Sequence, residues 1–343
     1  MPVYLPCSFL GVAPVLPGIE LDRVTAWVPV VNITLLIKAS LVGRASAELA
    51  FFALASSALY AALALLVAAR VFANDEVLLG GDGRSAVTGW ARSIRSEVGP
   101  GAGIFAFAAA MTLVFYVSGA LAPLSLPLKI AVVQLGCFLA PALLCAAVFG
   151  GWRRSTFGLH APSSRVLSGA VVLGLSVWSL ASLAVWLVPP PADLIQELAA
   201  TLSLPGVPLP VVWLVLAVLP AVCEEFFFRG LLMGAFARLG PTAALVSTSL
   251  LFGLAHGSVY RMLPTTMLGA VLAFVRLRSG SVLPGMVLHG VHNALLVTVI
   301  RLRPELAEAT GAPAWAYAVA AVGLLSGGAL VLRAGGARPP TTA

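Results

Sequence analysis

Apolar residues run along most of the chain in stretches long enough to cross a bilayer, and polar residues collect in the breaks between them. The stretches fall at 46–73, 101–122, 128–150, 165–188, 208–238, 241–256, 262–278, 282–301 and 313–333. Most approach the ~20 residues that a hydrocarbon core demands of a helix. The pattern predicts an all-α, polytopic transmembrane bundle of about nine spans. Two of them, 241–256 and 262–278, are short, which suits helices lining a protein-enclosed cavity better than helices facing lipid.

The breaks divide the chain. Residues 1–45 are mildly apolar but interrupted by Pro2, Pro6, Pro14, Pro17 and Pro29, and proline opposes an unbroken helix. The stretch 24–42 reads as a short interfacial or re-entrant helix. Between 74 and 100 the composition turns polar, with Asp82, Arg84, Arg92, Arg95 and Glu97 among glycines and serines. This is the best boundary, giving a segment 1–78 with one span, a linker 79–99 and a main domain 100–338. The glycines from Gly99 to Gly103 lead into no Lys-Ser/Thr pair, so they form a helix-entry linker and not a phosphate loop. Residues 189–207, with Pro189, Pro190, Pro191, Asp193 and Glu197, read as a loop.

Composition agrees. The chain is 60% hydrophobic and 10% charged over 343 residues, which places it among membrane proteins. The net charge of +7 comes from arginines scattered over loops, so it carries topology and not nucleic-acid binding. Loops with Arg84, Arg92, Arg95, Arg153, Arg154, Arg165, Arg238, Arg276 and Arg278 alternate with a loop at 189–207 that has none; putting the arginines on the cytoplasmic side gives a consistent topology. Arg301 and Arg303 then fall on the wrong side. Two lysines against many Ala, Leu, Val, Gly and Arg suggest a GC-rich bacterial genome, hence a plasma-membrane location. The four cysteines (Cys7, Cys137, Cys145, Cys223) have no C-x-x-C spacing, so neither a disulfide framework nor a thiolate zinc site is indicated. No basic n-region precedes the first apolar stretch, so no signal peptide is expected.

Against this oily background the run from Pro220 to Gly234 stands out, because it holds Glu224, Glu225 and Arg229. Each such charge costs roughly 2.5–3.5 kcal/mol at mid-bilayer on insertion scales. Glu225 and Arg229 are four apart and meet on one helix face. Glu224 points about 100° away and is left for something else. A structural ion pair between helices is the plain alternative, but buried pairs add little stability once desolvation is counted.

Later spans supply further polar groups. Phe252 and His256 close one short span; His289, His292 and Asn293 lie in another, with His289 and Asn293 on one face. Counted at 1.5 Å per residue from the cytoplasmic turns, Glu224 lies about 21 Å deep, His256 about 24 Å, His289 about 15 Å and Asn293 about 21 Å. Three helices thus bring these groups to one broad layer. Each has a plainer reading alone: a satisfied core histidine, an interhelical amide bond, and for Gly230 and Gly234 a close-packing face. For His292 and Cys223, packing is the better reading.

The motifs Glu224-Glu225…Arg229, Phe252…His256 and His289…Asn293, in this order on successive helices, resemble those of the CPBP intramembrane protease family. That family includes type II CAAX prenyl endopeptidases and the bacteriocin-processing or immunity proteins called Abi. The resemblance covers about residues 100–335, with no departure at any motif position. It implies peptide-bond hydrolysis at the membrane. Glu224 and His256 would activate a water, His289 and Asn293 would stabilise the oxyanion, and Glu225 with Arg229 would orient the helix. The family is also described as metalloproteases; in that version Zn2+ is held by Glu224, His256 and His289. The sequence leaves both versions open.

Other intramembrane proteases fit less well. There is no H-E-x-x-H, all four aspartates (Asp22, Asp75, Asp82, Asp193) lie outside the apolar stretches, and a serine pair such as Ser176 with His289 leaves Glu224 and His256 unexplained. A separate resemblance, looser, joins Trp27–Lys38 and the span ending at Arg70–Glu76 to the C-terminal end of ABC-exporter permease subunits. It implies anchoring or an ABC-exporter partner. The expected partners are therefore a protein or peptide substrate and the bilayer, with no nucleic acid and no organic cofactor. The competing function is a transporter or immunity module using the same cluster to bind an ion or peptide.

Overall fold

A computed structural model describes residues 19–72, 99–121, 123–148, 157–303 and 312–334. Among them every regular element is helical. A 3-10 turn at Thr25–Trp27 leads into α1 (Val31–Leu41), followed by α2 (Ala47–Phe72), α3 (Pro100–Ala120) and α4 (126–148). Then come α5 (Ser164–Ser176), α6 (Trp178–Leu187), α7 (Ala192–Ser203), α8 (Leu209–Leu239) and α9 (Pro241–Leu254). The last are α10 (Val259–Ser279), α11 (Leu283–Leu302) and α12 (Ala314–Ala334).

Each of the nine predicted spans coincides with helix in its described residues, and among the described residues six stretches are long and apolar enough to cross a membrane: Ala47–Leu66, Leu126–Cys145, Ser164–Leu187, Leu209–Leu239, Leu283–Leu302 and Ala314–Arg333. The chain is an integral membrane protein. α9 is apolar but short, and α10 carries Arg261, Arg276 and Arg278.

The span at 165–188 crosses as one stretch, with a break in the helix at Val177, whose amide still bonds the Leu173 carbonyl at 2.9 Å. Two local readings need correction. The stretch 189–207 is not all loop. It contains α7, which follows Pro191 and carries Asp193 in its first turn, where the helix dipole favours a carboxylate. α10 begins at Val259, not 262. Arg301, the dissenter in the charge pattern, donates to the carbonyl of Ser203 at the C-terminal end of α7, at 3.4 Å. A local carbonyl end thus accounts for a cation there. The linker at 79–98, together with Arg84, Arg92, Arg95, Arg153 and Arg154, lies outside the described residues.

α8 is the most buried of the six apolar stretches, and its phenylalanines organise the core. Phe226 stacks on Phe157 at 4.6 Å, Phe227 meets Phe138 of α4 edge-on at 5.6 Å, and Phe228 meets Phe107 of α3 at 6.3 Å. Such offset and edge contacts are the favoured geometry of aromatic pairs. α11 packs on α8 and α10 and, on its other side, on α5. Small residues permit that approach: a Cβ at Gly174 of α5 would stand 2.7 Å from the Leu288 carbonyl. The N-terminal segment joins the same core through Trp27 and Phe52. The Asn32 amide pins α1 to α2 by bonds to the Ala53 carbonyl (3.0 Å) and the Ser56 hydroxyl (2.9 Å).

Candidate active site

Three wide, π-helical stretches interrupt the helices near the polar residues: Gln134–Leu139 in α4, Leu214–Val218 and Phe226–Leu232 in α8. Such insertions loosen the backbone ladder and re-aim side chains, and they are frequent at functional sites. Each contributes one group here: the Gln134 side chain, the Leu216 carbonyl and the Arg229 side chain.

Glu225 and Arg229 meet as their spacing requires, Arg229 Nη1 donating to Glu225 Oε1 at 2.9 Å with both side chains fully buried. Arg229 Nη2 donates to the Gly269 carbonyl of α10 at 2.9 Å, and its guanidinium lies 4.4 Å from the Phe252 ring centroid, an attractive placement for a cation on a π face. From α11, His289 Nδ1 stands 3.3 Å from the same Glu225 oxygen. The Glu225–Arg229 pair therefore ties α8 to α11 through the carboxylate and to α10 through the guanidinium. Gly285, one turn before His289, leaves the room: a Cβ there would be 2.9 Å from Glu225 Oε2.

Glu224, also buried, turns the other way, as the 100° offset predicted. It accepts a 2.7 Å bond from Gln134 Nε2 of α4. His256 follows the end of α9, and its Nδ1 lies 2.7 Å from the Phe252 carbonyl. A carbonyl can only accept, so Nδ1 carries the hydrogen and Nε2 is left with its lone pair. The Phe252 ring lies edge-on to both histidines, 5.0 Å from His256 and 5.7 Å from His289. Asn293 Nδ2 donates to the Leu216 carbonyl at 3.2 Å, in a wide turn of α8. His292 is buried, with Nδ1 unpartnered.

The sequence reading missed two groups. Gln134 is a single neutral polar residue in an apolar run, and nothing in its spacing marks it. Arg261, in the first turn of α10, has its charge close enough to Glu224 and His256 to interact with both. Among the described residues, no three His, Cys, Asp or Glu are grouped so as to hold a metal ion. Glu224 takes its bond from Gln134 on Oε1, and His256 and His289 turn Nδ1 to the Phe252 carbonyl and to Glu225, which leaves each ring its Nε2 for another partner.

Residues 206–295 match the family model described as type II CAAX prenyl endopeptidase Rce1-like. Comparison with curated proteins and with solved structures finds no match. The matched stretch encloses Glu224, Glu225, Arg229, Phe252, His256, His289 and Asn293, and stops short of α4 and of residues 1–78, so the ABC-exporter resemblance gains no support from it. This match and the three motifs within it support the CPBP family for residues 206–295.

Proposed function

We propose that the chain is an intramembrane endopeptidase that hydrolyses a peptide bond in a membrane-associated protein or peptide, with Glu224 as the general base. The reading rests on one observation above the family match. Four helices bring Glu224, His256, His289 and their partners together, and among the described residues Glu224 is the carboxylate there that makes no ion pair.

In this mechanism Glu224 takes a proton from a water whose oxygen attacks the scissile carbonyl carbon. His256 Nε2, held open by the Nδ1–Phe252 bond, orients that water. The developing oxyanion is met by His289 and by the second amide hydrogen of Asn293. For His289 to donate from Nε2 while Nδ1–H bonds Glu225, both nitrogens must be protonated, and the Glu225 carboxylate compensates that charge. Donors fixed in a site of low dielectric stabilise developing charge without reorganising. Collapse of the tetrahedral intermediate breaks the C–N bond, and the proton held by Glu224 passes to the leaving nitrogen. Glu225 and Arg229 touch no reacting atom in this scheme and hold His289 in place.

The composition favours a bacterial plasma membrane, and an endopeptidase there would act in processing or sorting. The test is a comparison of membrane-proteome N- and C-termini in cells carrying wild type or Glu224→Gln. The proposal expects uncleaved precursor to accumulate in the variant; identical termini in both would reject it.

A further inference from the structure

Gln134 lies outside the matched residues 206–295. It is buried in α4, and its Nε2 donates to Glu224 Oε1 at 2.7 Å across 90 residues of sequence. Its other end, Oε1, is buried and has no partner among the described residues. An unsatisfied buried acceptor carries a desolvation cost, so an amide placed this way calls for a reason.

The chemistry of the pair supplies one. An ionised carboxylate only accepts, and takes the bond from the Nε2 end of the amide. A protonated carboxyl also donates, and an amide can receive that hydrogen at its oxygen. Glutamine is thus a partner for both protonation states of Glu224, reached by a half-turn of the terminal amide. A lysine or arginine here would serve the ionised state alone. Glu225, by contrast, is paired with Arg229 and His289.

We propose that Gln134 is a positioning residue for the proposed reaction: it holds Glu224 in the ionised form before catalysis and in the protonated form after it has taken the proton from water. The unpartnered Oε1 is the acceptor used in the second state. The proposal rests on the endopeptidase reading for its turnover part and on the 2.7 Å contact for its structural part. It also makes α4, upstream of the matched segment, a necessary wall of the site.

The test uses the full chain in nanodiscs, with Gln134→Leu, Gln134→Lys and Gln134→Asn alone and combined with Glu224→Gln. Turnover is read on a quenched-fluorescence peptide library. Gln134→Leu is expected to lower kcat by roughly tenfold or more with KM within about twofold. Gln134→Lys, which keeps a donor but fits only the ionised state, should lose kcat similarly, and Gln134→Asn should retain more than either. Unchanged kcat in Gln134→Leu or wild-type kcat in Gln134→Lys would overturn the proposal. A thermal-unfolding cycle on wild type, Gln134→Leu, Glu224→Gln and their double variant tests the contact without substrate, and strict additivity there also overturns it. Should Glu224→Gln cleave like wild type, or the wild type cleave nothing, the endopeptidase reading falls and takes the turnover role with it. Loss in Glu224→Gln beside full activity in Gln134→Leu removes only the present proposal.

Discussion

His289 Nδ1 and Glu225 Oε1 stand 3.3 Å apart, on the same oxygen that receives Arg229 Nη1 at 2.9 Å. A carboxylate shared by a fixed cation and a titratable ring couples the packing of α8 to the aim of His289. The clamp is therefore expected to matter twice, to stability and to turnover.

Replacing Arg229 leaves Glu225 charged, fully buried and without its ion-pair partner. Arg229→Met should destabilise the protein by about 3–5 kcal/mol, the usual cost of breaking a buried pair from one side. The further change Glu225→Gln should recover part of that loss. Unfolding of the purified proteins in detergent checks both; an Arg229→Met variant as stable as wild type would contradict the clamp.

Gly285 tests the geometry more finely. A Cβ there falls 2.9 Å from Glu225 Oε2, and that carboxylate is held by two partners and cannot swing away. Gly285→Ala should displace His289 and cut turnover by roughly tenfold or more, as small misplacements of catalytic groups do. Gly290→Ala is the control: its Cβ would meet the Ala221 Cβ at 3.6 Å, an ordinary contact, and turnover should stay near wild type.

On the opposite side of α11, Gly174 lets α5 approach within reach of the Leu288 carbonyl, 2.7 Å from where a Cβ would be. Gly174→Ala should push these helices apart and lower the unfolding temperature. Surviving protein should keep the KM of wild type, because no proposed site residue lies on α5. A changed KM with unchanged stability would show that α5 shapes the substrate path.

Metal content separates the proposed water mechanism from a zinc one. Water activated by Glu224 needs no metal, so on that mechanism dialysis against a chelator should leave cleavage intact, and zinc add-back should not raise it. About one zinc per chain by elemental analysis, lost in His256→Ala, would instead make His256 a ligand.

The sequence by itself determined the membrane class, the helical stretches and the residues that cannot be there by accident. A carboxylate or guanidinium in an apolar run is so costly that Glu224, Glu225 and Arg229 declare themselves, and helical spacing alone pairs the last two and turns the first away. His256, His289 and Asn293 were legible from counted depth. Tertiary structure decided the partners. Helix counting put His289 about 6 Å away in depth from Glu224. The antiparallel packing of α8 and α11 instead sets it against Glu225, and Asn293 against the Leu216 carbonyl. α7 was hidden because prolines and acids resemble a loop until an apolar face finds α11. Gln134 was hidden for the opposite reason. Burying one neutral amide costs far less than burying a charge, so its sequence carries no alarm, and only the approach of α4 to α8 reveals what it holds.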